Sequence, residues 1–184
     1  CYAIHRCIDA VLEKEFPAEN LVSVDVRVGK LQAAMLRHSS PQSALDAKFS
    51  AQFAMAAALL SRRVGLAELT DAYVQRQDVQ RLMRKVRVTS TGETDPETPL
   101  FAPSDQVFLE LANGGTVATR AVRHPKGHAR NPMTDADVES KFRDLAGDAL
   151  GAERASAAPG TLWRLDEAQR AGVVLDAVTL PPRV

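Results

Sequence analysis

Apolar positions open the chain in a helical rhythm. Ile4, Cys7, Ile8, Val11 and Leu12 recur at i, i+3, i+4, i+7 and i+8, the stripe of an amphipathic helix. That stripe has no Ser, Thr, Asp or Asn ahead of it as a cap and no initiating methionine, so the expectation is a sequence that begins inside a longer polypeptide. The period then drops to two in LVSVDVRVG, where Val22, Val24, Val26 and Val28 alternate with Ser23, Asp25 and Arg27, predicting a half-buried strand that stops at Gly29. The segment from about Leu45 to Ser61 is apolar nearly all round and predicts one central helix.

LAELTD and QDVQRLMRKV predict two short helices, the second with Val79, Leu82, Met83 and Val86 in register. VRVTS predicts a strand, and residues 91–105, which contain Pro96, Pro99 and Pro103, a loop. In QVFLELANGGTVATRAV, Val107, Leu109 and Leu111 alternate ahead of Asn113-Gly114-Gly115, the signal of a hairpin. A further helix is predicted from Thr134 as N-cap to Gly151 as stop, with Val138, Phe142, Leu145 and Ala149 on one face. A last short helix is expected near Leu162 to Arg170, with a tail after it. The order gives an α+β fold: a small, largely antiparallel sheet of three to four strands covered by helices.

Composition narrows the function classes. At 184 residues with 45% apolar and 25% charged positions, the chain can bury a sizeable core. Its net charge of zero and 5% aromatic content argue against nucleic acid as a partner. The longest apolar run, AMAAALL, is far short of the ~20 residues that span a bilayer, so no membrane partner is expected. Cys1 and Cys7, six apart on a predicted helix, diverge too far for a disulfide, which suits a reducing, cytoplasmic setting.

Several groups could carry chemistry. Cys1 and His5, four apart, would share one line of the first helix and could flank a cleft; ordinary packing is the alternative. A zinc site would need two more ligands, and no convincing set exists, so no metal is assigned. Lys48 and Gln52 would share a line of the central helix, with Lys48 either reaching water or sitting at a polar cleft. The stretch around HPKGH carries Arg120, Arg123, His124, Lys126, His128 and Arg130, with no acid between Glu110 and Asp135. Its Pro125–Gly127 turn could present Lys126 and backbone N–H groups to a carboxylate or phosphate; two solvated basic loops, here and over 26–45, are the plainer reading.

CYAIHRCIDA, DAKFSAQFAMAAALL, RVGLAELTD, and HPKG with NPMTDADVESKFRDLAG after it resemble, in this order and spacing, the carboxy-terminal part of the MmgE/PrpD family. That family includes 2-methylcitrate dehydratase, cis-aconitate decarboxylase and iminodisuccinate epimerase. The resemblance covers residues 1–151, with 152–184 left as a carboxy-terminal helix and tail. It implies a lid domain that works with a large helical amino-terminal domain around a cleft, without a cofactor, on a small polycarboxylate. Most similar would be a 2-methylcitrate dehydratase of propionate metabolism, homodimeric as the full-length protein, with the 184-residue chain inactive alone. An epimerase or isomerase of the same fold, or a non-catalytic binding module, are the alternatives. By the same resemblance, Cys1, His5 and Phe53 are the cleft candidates, and Phe53 stands where cis-aconitate decarboxylases have a functional tyrosine. Lys48, Lys126 and His124 are the candidates for holding substrate.

Overall fold

A computed structural model describes residues 1–180; the last four residues of the expected tail lie outside it. The chain divides into two compact units, Cys1–Asn131 and Pro132–Val184.

In the first unit a 3-10 turn, Tyr2–Ile4, leads into α1, His5–Leu12. Cys1 is therefore outside the helix, and the expected Cys1–His5 helical line does not form. Strand β1, Leu21–Gly29, runs straight into the short α2, Lys30–Met35, where the pattern predicts only a loop. The predicted helix over 45–61 is two helices, α3, Ala44–Ala47, and α4, Ala51–Ser61. The break falls at Lys48-Phe49-Ser50 because Ser50 turns to extended backbone and its Oγ caps α4 by accepting the Phe53 N–H at 3.1 Å. In α4 every residue from Ala51 to Leu59 is buried, as an all-round apolar helix should be.

LAELTD gives turns rather than a helix; after it come α5, Asp71–Val74, capped by Thr70, and α6, Gln77–Met83. Strands β2, Val86–Thr91, β3, Gln106–Leu111, and β4, Thr116–Ala118, complete a four-stranded sheet in the order β2-β1-β3-β4. The α+β class holds. The sheet is mixed: β1 pairs antiparallel with β3, and β3 with β4, but β1 and β2 run parallel, joined by the helical crossover α2–α6.

The inner face of the sheet carries Val24, Val26, Val28, Val107 and Leu109, all fully buried with α1 and α4 packed nearby. Val22 breaks the predicted alternation. The register against β3 slips between Leu21 and Ser23, so Leu21 turns inward and Val22 is left 47% exposed. At the end of α4, Arg62 adopts φ 56°, the only non-glycine residue in the left-handed region among those described, and its guanidinium donates to the carbonyls of Val11 and Leu12. One residue thereby stops α4 and caps α1.

The second unit contains α7, Asp135–Leu150, α8, Ala152–Leu162, a 3-10 turn at Leu165–Glu167, and α9, Ala171–Val178. Thr134 and Asp137 form a reciprocal capping box at the start of α7, and Gly151 ends it at φ 81°. The helix expected over 162–170 is absent. Instead α8 precedes it and contains Pro159 in its last turns, where the missing N–H costs one bond and the ring still fits the helical φ. No described helix is long and apolar enough to cross a membrane.

Candidate active-site face

Two polar constellations surround α1, one buried and one at the surface. The buried one centres on Gln32, which is wholly inaccessible. Its Oε1 accepts the N–H groups of Gly29 and Ala102, both at 3.0 Å, and its Nε2 donates to the Ala3 carbonyl at 3.2 Å and to Asp105 Oδ2 at 2.7 Å. All four hydrogen-bonding positions of the amide are filled. Gly29 is required here for space: a Cβ would lie 2.7 Å from the Ala102 nitrogen and 2.8 Å from Gln32 Oε1.

Arg6 extends this network. Its Nη1 donates to the Ala102 carbonyl at 2.7 Å, its guanidinium lies 5.1 Å from the Phe101 ring centre, and Asp105 Oδ1 is 3.7 Å away, too far for a hydrogen bond. Burial pushes the Asp105 carboxyl up to about 6, with the Gln32 hydrogen bond and the Arg6 charge offsetting only part of that. The network thus ties the start of the chain, β1, α2 and the loop over 91–105 into one piece.

The surface constellation uses the other side of α1. Asp9 and Glu13, four apart, reach the loop over 119–131: Asp9 Oδ2 accepts the Lys126 backbone N–H at 2.5 Å, and Glu13 pairs with Arg120. The turn at Pro125–Gly127 therefore does hold a carboxylate, and it is the chain's own. The remaining N–H groups of the turn are also engaged, Gly127 with the Asn131 carbonyl and His128 with that of Pro125.

Arg123 binds the buried Asp95 through two nitrogens at 3.0 and 3.3 Å, and Glu97 ties it to Arg130 at 3.5 and 2.8 Å. The Glu97 backbone N–H first, and then Arg123, hold the Asp95 carboxyl below its usual range against the effect of burial. His124 and His128 stack, centroids 4.4 Å apart and planes at 19°. Burial, then His128 and the neighbouring arginines, hold His124 below the ordinary imidazole value. The acid-free basic loop is thus neutralised by acids from elsewhere, and Lys126 and His124 lie within it.

Cys1, His5 and Lys48 have a different setting. All three are exposed. The Lys48 ammonium lies within electrostatic range of the Cys1 backbone nitrogen. His5 contacts the Tyr2 ring at 5.4 Å, and Tyr2 meets Phe101 edge-on at 5.6 Å. Next to Lys48, Phe49 carries Arg37 over its ring at 5.8 Å. No carboxylate pairs with Lys48 among the described residues. These residues leave an exposed surface with an unneutralised ammonium at Lys48, where the Ser50 cap turns the chain.

Phe53 is not on it. The ring is 1% exposed and packs edge-on against Tyr73 at 6.1 Å, so within this unit it is an interior residue rather than a cleft residue. Gln52 also departs from its expected line with Lys48, since the helix begins only at Ala51; it is 8% exposed, and its Oε1 has no partner. The sequence pattern does not reveal the roles of Gln32, Asp9 and Glu13. The spacing of Asp9 and Glu13 along α1 is the available signal, whereas nothing local marks Gln32, whose partners are 3 to 73 residues away.

Comparison with known proteins bears on the same residues. Cis-aconitate decarboxylase of Mus musculus is 28% identical over 139 residues, which cover 73% of this chain and 27% of that enzyme. The chain therefore matches little more than a quarter of that relative's length. The family model described as MmgE/PrpD C-terminal domain matches residues 1–165. That match takes in the sheet, the central helix, the Lys48 face and all of α7, and on its extent the chain belongs to the MmgE/PrpD family as its C-terminal domain.

Proposed function

We propose that this domain forms one wall of the substrate cleft of a lyase acting on a small polycarboxylate, most similar to a 2-methylcitrate dehydratase. The observation that carries the reading is Lys48: an exposed ammonium with no carboxylate of its own among the described residues, within electrostatic range of Cys1, in a chain of this family. A polycarboxylate supplies the missing counter-charge. The chemistry is removal of a proton next to a carboxylate and departure of water, for which a positioned acid or base and a cationic clamp suffice. Lys48 takes the clamp role, His5 is the proton-transfer candidate on this wall, and Cys1 borders it.

The other wall is a large helical amino-terminal domain, and the complete enzyme is a cytoplasmic homodimer. Decarboxylation, the activity in the name of the mouse relative, is the second reading. Phe53 weighs against it, because a phenyl ring offers no hydroxyl to donate a proton and this one is turned into the core. An epimerase would share the proton-abstraction step and then return a proton to the opposite face of the same carbon instead of expelling water.

The test of the division of labour is turnover of 2-methylcitrate by the 184-residue chain and by a full-length polypeptide containing it. The expected outcome is dehydration by the full-length polypeptide alone. Turnover by the 184-residue chain would overturn the two-walled cleft.

A further inference from the structure

At the end of α4 remote from Lys48, a cavity of about 400 Å³ opens in the first unit. Its floor is apolar, made by Leu60 near the end of α4, Leu82 on α6, and Ala18. Eleven helical residues separate the two ends of α4, roughly 16 Å at 1.5 Å per residue, so this is a different place from the Lys48 face. The volume falls in the range of small-molecule sites, and the lining has their character, an apolar body with a few polar groups at its edge.

The edge groups decide what fits. Arg81 and Lys85 line the cavity together with Glu19 and Asp78. Asp78 is already satisfied: Arg76 binds both of its oxygens, at 3.1 and 2.6 Å, and the Val79 N–H also binds Oδ1. Lys85 donates to the Leu21 carbonyl, which leaves its charge unneutralised, and Arg81 has no carboxylate partner among the described residues. Two cations therefore face a single free acid, Glu19, for a surplus of one positive charge. A guanidinium at the edge of an apolar floor favours one carboxylate with a hydrocarbon body; a second carboxylate would meet Glu19, and a neutral or cationic ligand would leave Arg81 unused.

We propose that this cavity is a second binding site, specific for a small amphipathic monocarboxylate that places its carboxylate on Arg81 and Lys85 and its chain over Leu60 and Leu82. The proposal is independent of the lyase reading. Its test is a titration of the 184-residue chain with octanoate, monitored by amide chemical shifts. Saturable shifts are expected at Ala18, Leu60, Arg81, Leu82 and Lys85. Arg81→Ala should weaken binding about tenfold, the effect of one charge-assisted hydrogen bond. Glu19→Gln should tighten it, and octan-1-ol should bind more weakly than octanoate. Arg81 is exposed and has no ion pair among the described residues, so its substitution leaves the fold in place, which circular dichroism verifies. Absence of saturable shifts, shifts confined to other apolar surfaces such as that around Trp163, or equal affinity in Arg81→Ala would overturn the proposal.

Discussion

The Asp9 carboxylate holds the backbone N–H of Lys126 at 2.5 Å, joining the first helix to a turn 117 residues further along the chain. With the Glu13–Arg120 pair one helical turn later, it fastens the whole loop over 119–131 to α1. A hydrogen bond to a half-buried charged group contributes more than a neutral one, on the order of 1.5–3 kcal/mol. Asp9→Ala should therefore lower unfolding stability by about 1–2 kcal/mol and speed hydrogen exchange at the Lys126 amide. Unchanged exchange at that amide would show that the contact does not hold the turn.

Gln32 makes a sharper case. Replacement by Leu fills the same space but leaves the Gly29 and Ala102 N–H groups, the Ala3 carbonyl and Asp105 without their partner in a site closed to water. The expected loss is on the order of 3–5 kcal/mol, read from the urea midpoint. Gly29→Ala should destabilise through the same region, because its Cβ would press on the Ala102 backbone rather than on a side chain that can move aside.

Asp105 gives the fold a pH dependence with a definite sign. Its folded-state value of about 6 lies above the usual carboxylate value of 3.8, so between those limits the folded chain holds a proton that the unfolded chain releases. Its contribution to stability is full below about pH 4 and is lost as pH rises through 6. Two pH units correspond to about 3 kcal/mol. Asp105→Asn should be compared with the parent by urea unfolding at about pH 4.5 and about pH 7.5. The stability difference between the two proteins should change by roughly 2 kcal/mol in favour of the parent at the lower pH. Parallel pH profiles would contradict the assignment.

Lys48 should matter to turnover and not to folding. In the full-length polypeptide, Lys48→Ala is expected to raise KM for the polycarboxylate roughly 10- to 100-fold at an unchanged melting temperature, with partial recovery in Lys48→Arg. A fall in melting temperature of several degrees would instead make Lys48 a structural residue.

Much of the architecture was legible wherever a local rule decides it. Thr134 and Gly151 bracket α7, Asn113-Gly114 turns the hairpin, and the uninterrupted apolar run marks α4 as central. Local rules also account for two of the departures, although periodicity hid them. Ser50 is a good N-cap within an apolar run, and Pro159 fits a late helical position, where its fixed φ is helical. The bulge at Val22 could not be read from β1, since it is defined by the strand opposite. The ion pairs of the basic loop were hidden for the same reason: Asp95 and Glu97 are remote in sequence from Arg123 and Arg130 and reach them only through the fold. Of the candidate site residues, Cys1, His5 and Lys48 are exposed, while Phe53 lies in the core and Lys126 and His124 lie in the loop that carries these ion pairs.

We propose that this family domain serves the dehydration of a polycarboxylate. It is tested most directly by incubating the full-length polypeptide separately with 2-methylcitrate and with cis-aconitate and identifying what leaves each substrate. The expected outcome is loss of water from 2-methylcitrate, seen as a new conjugated alkene, and no release of carbon dioxide from cis-aconitate. Release of carbon dioxide from cis-aconitate, with 2-methylcitrate untouched, would contradict it.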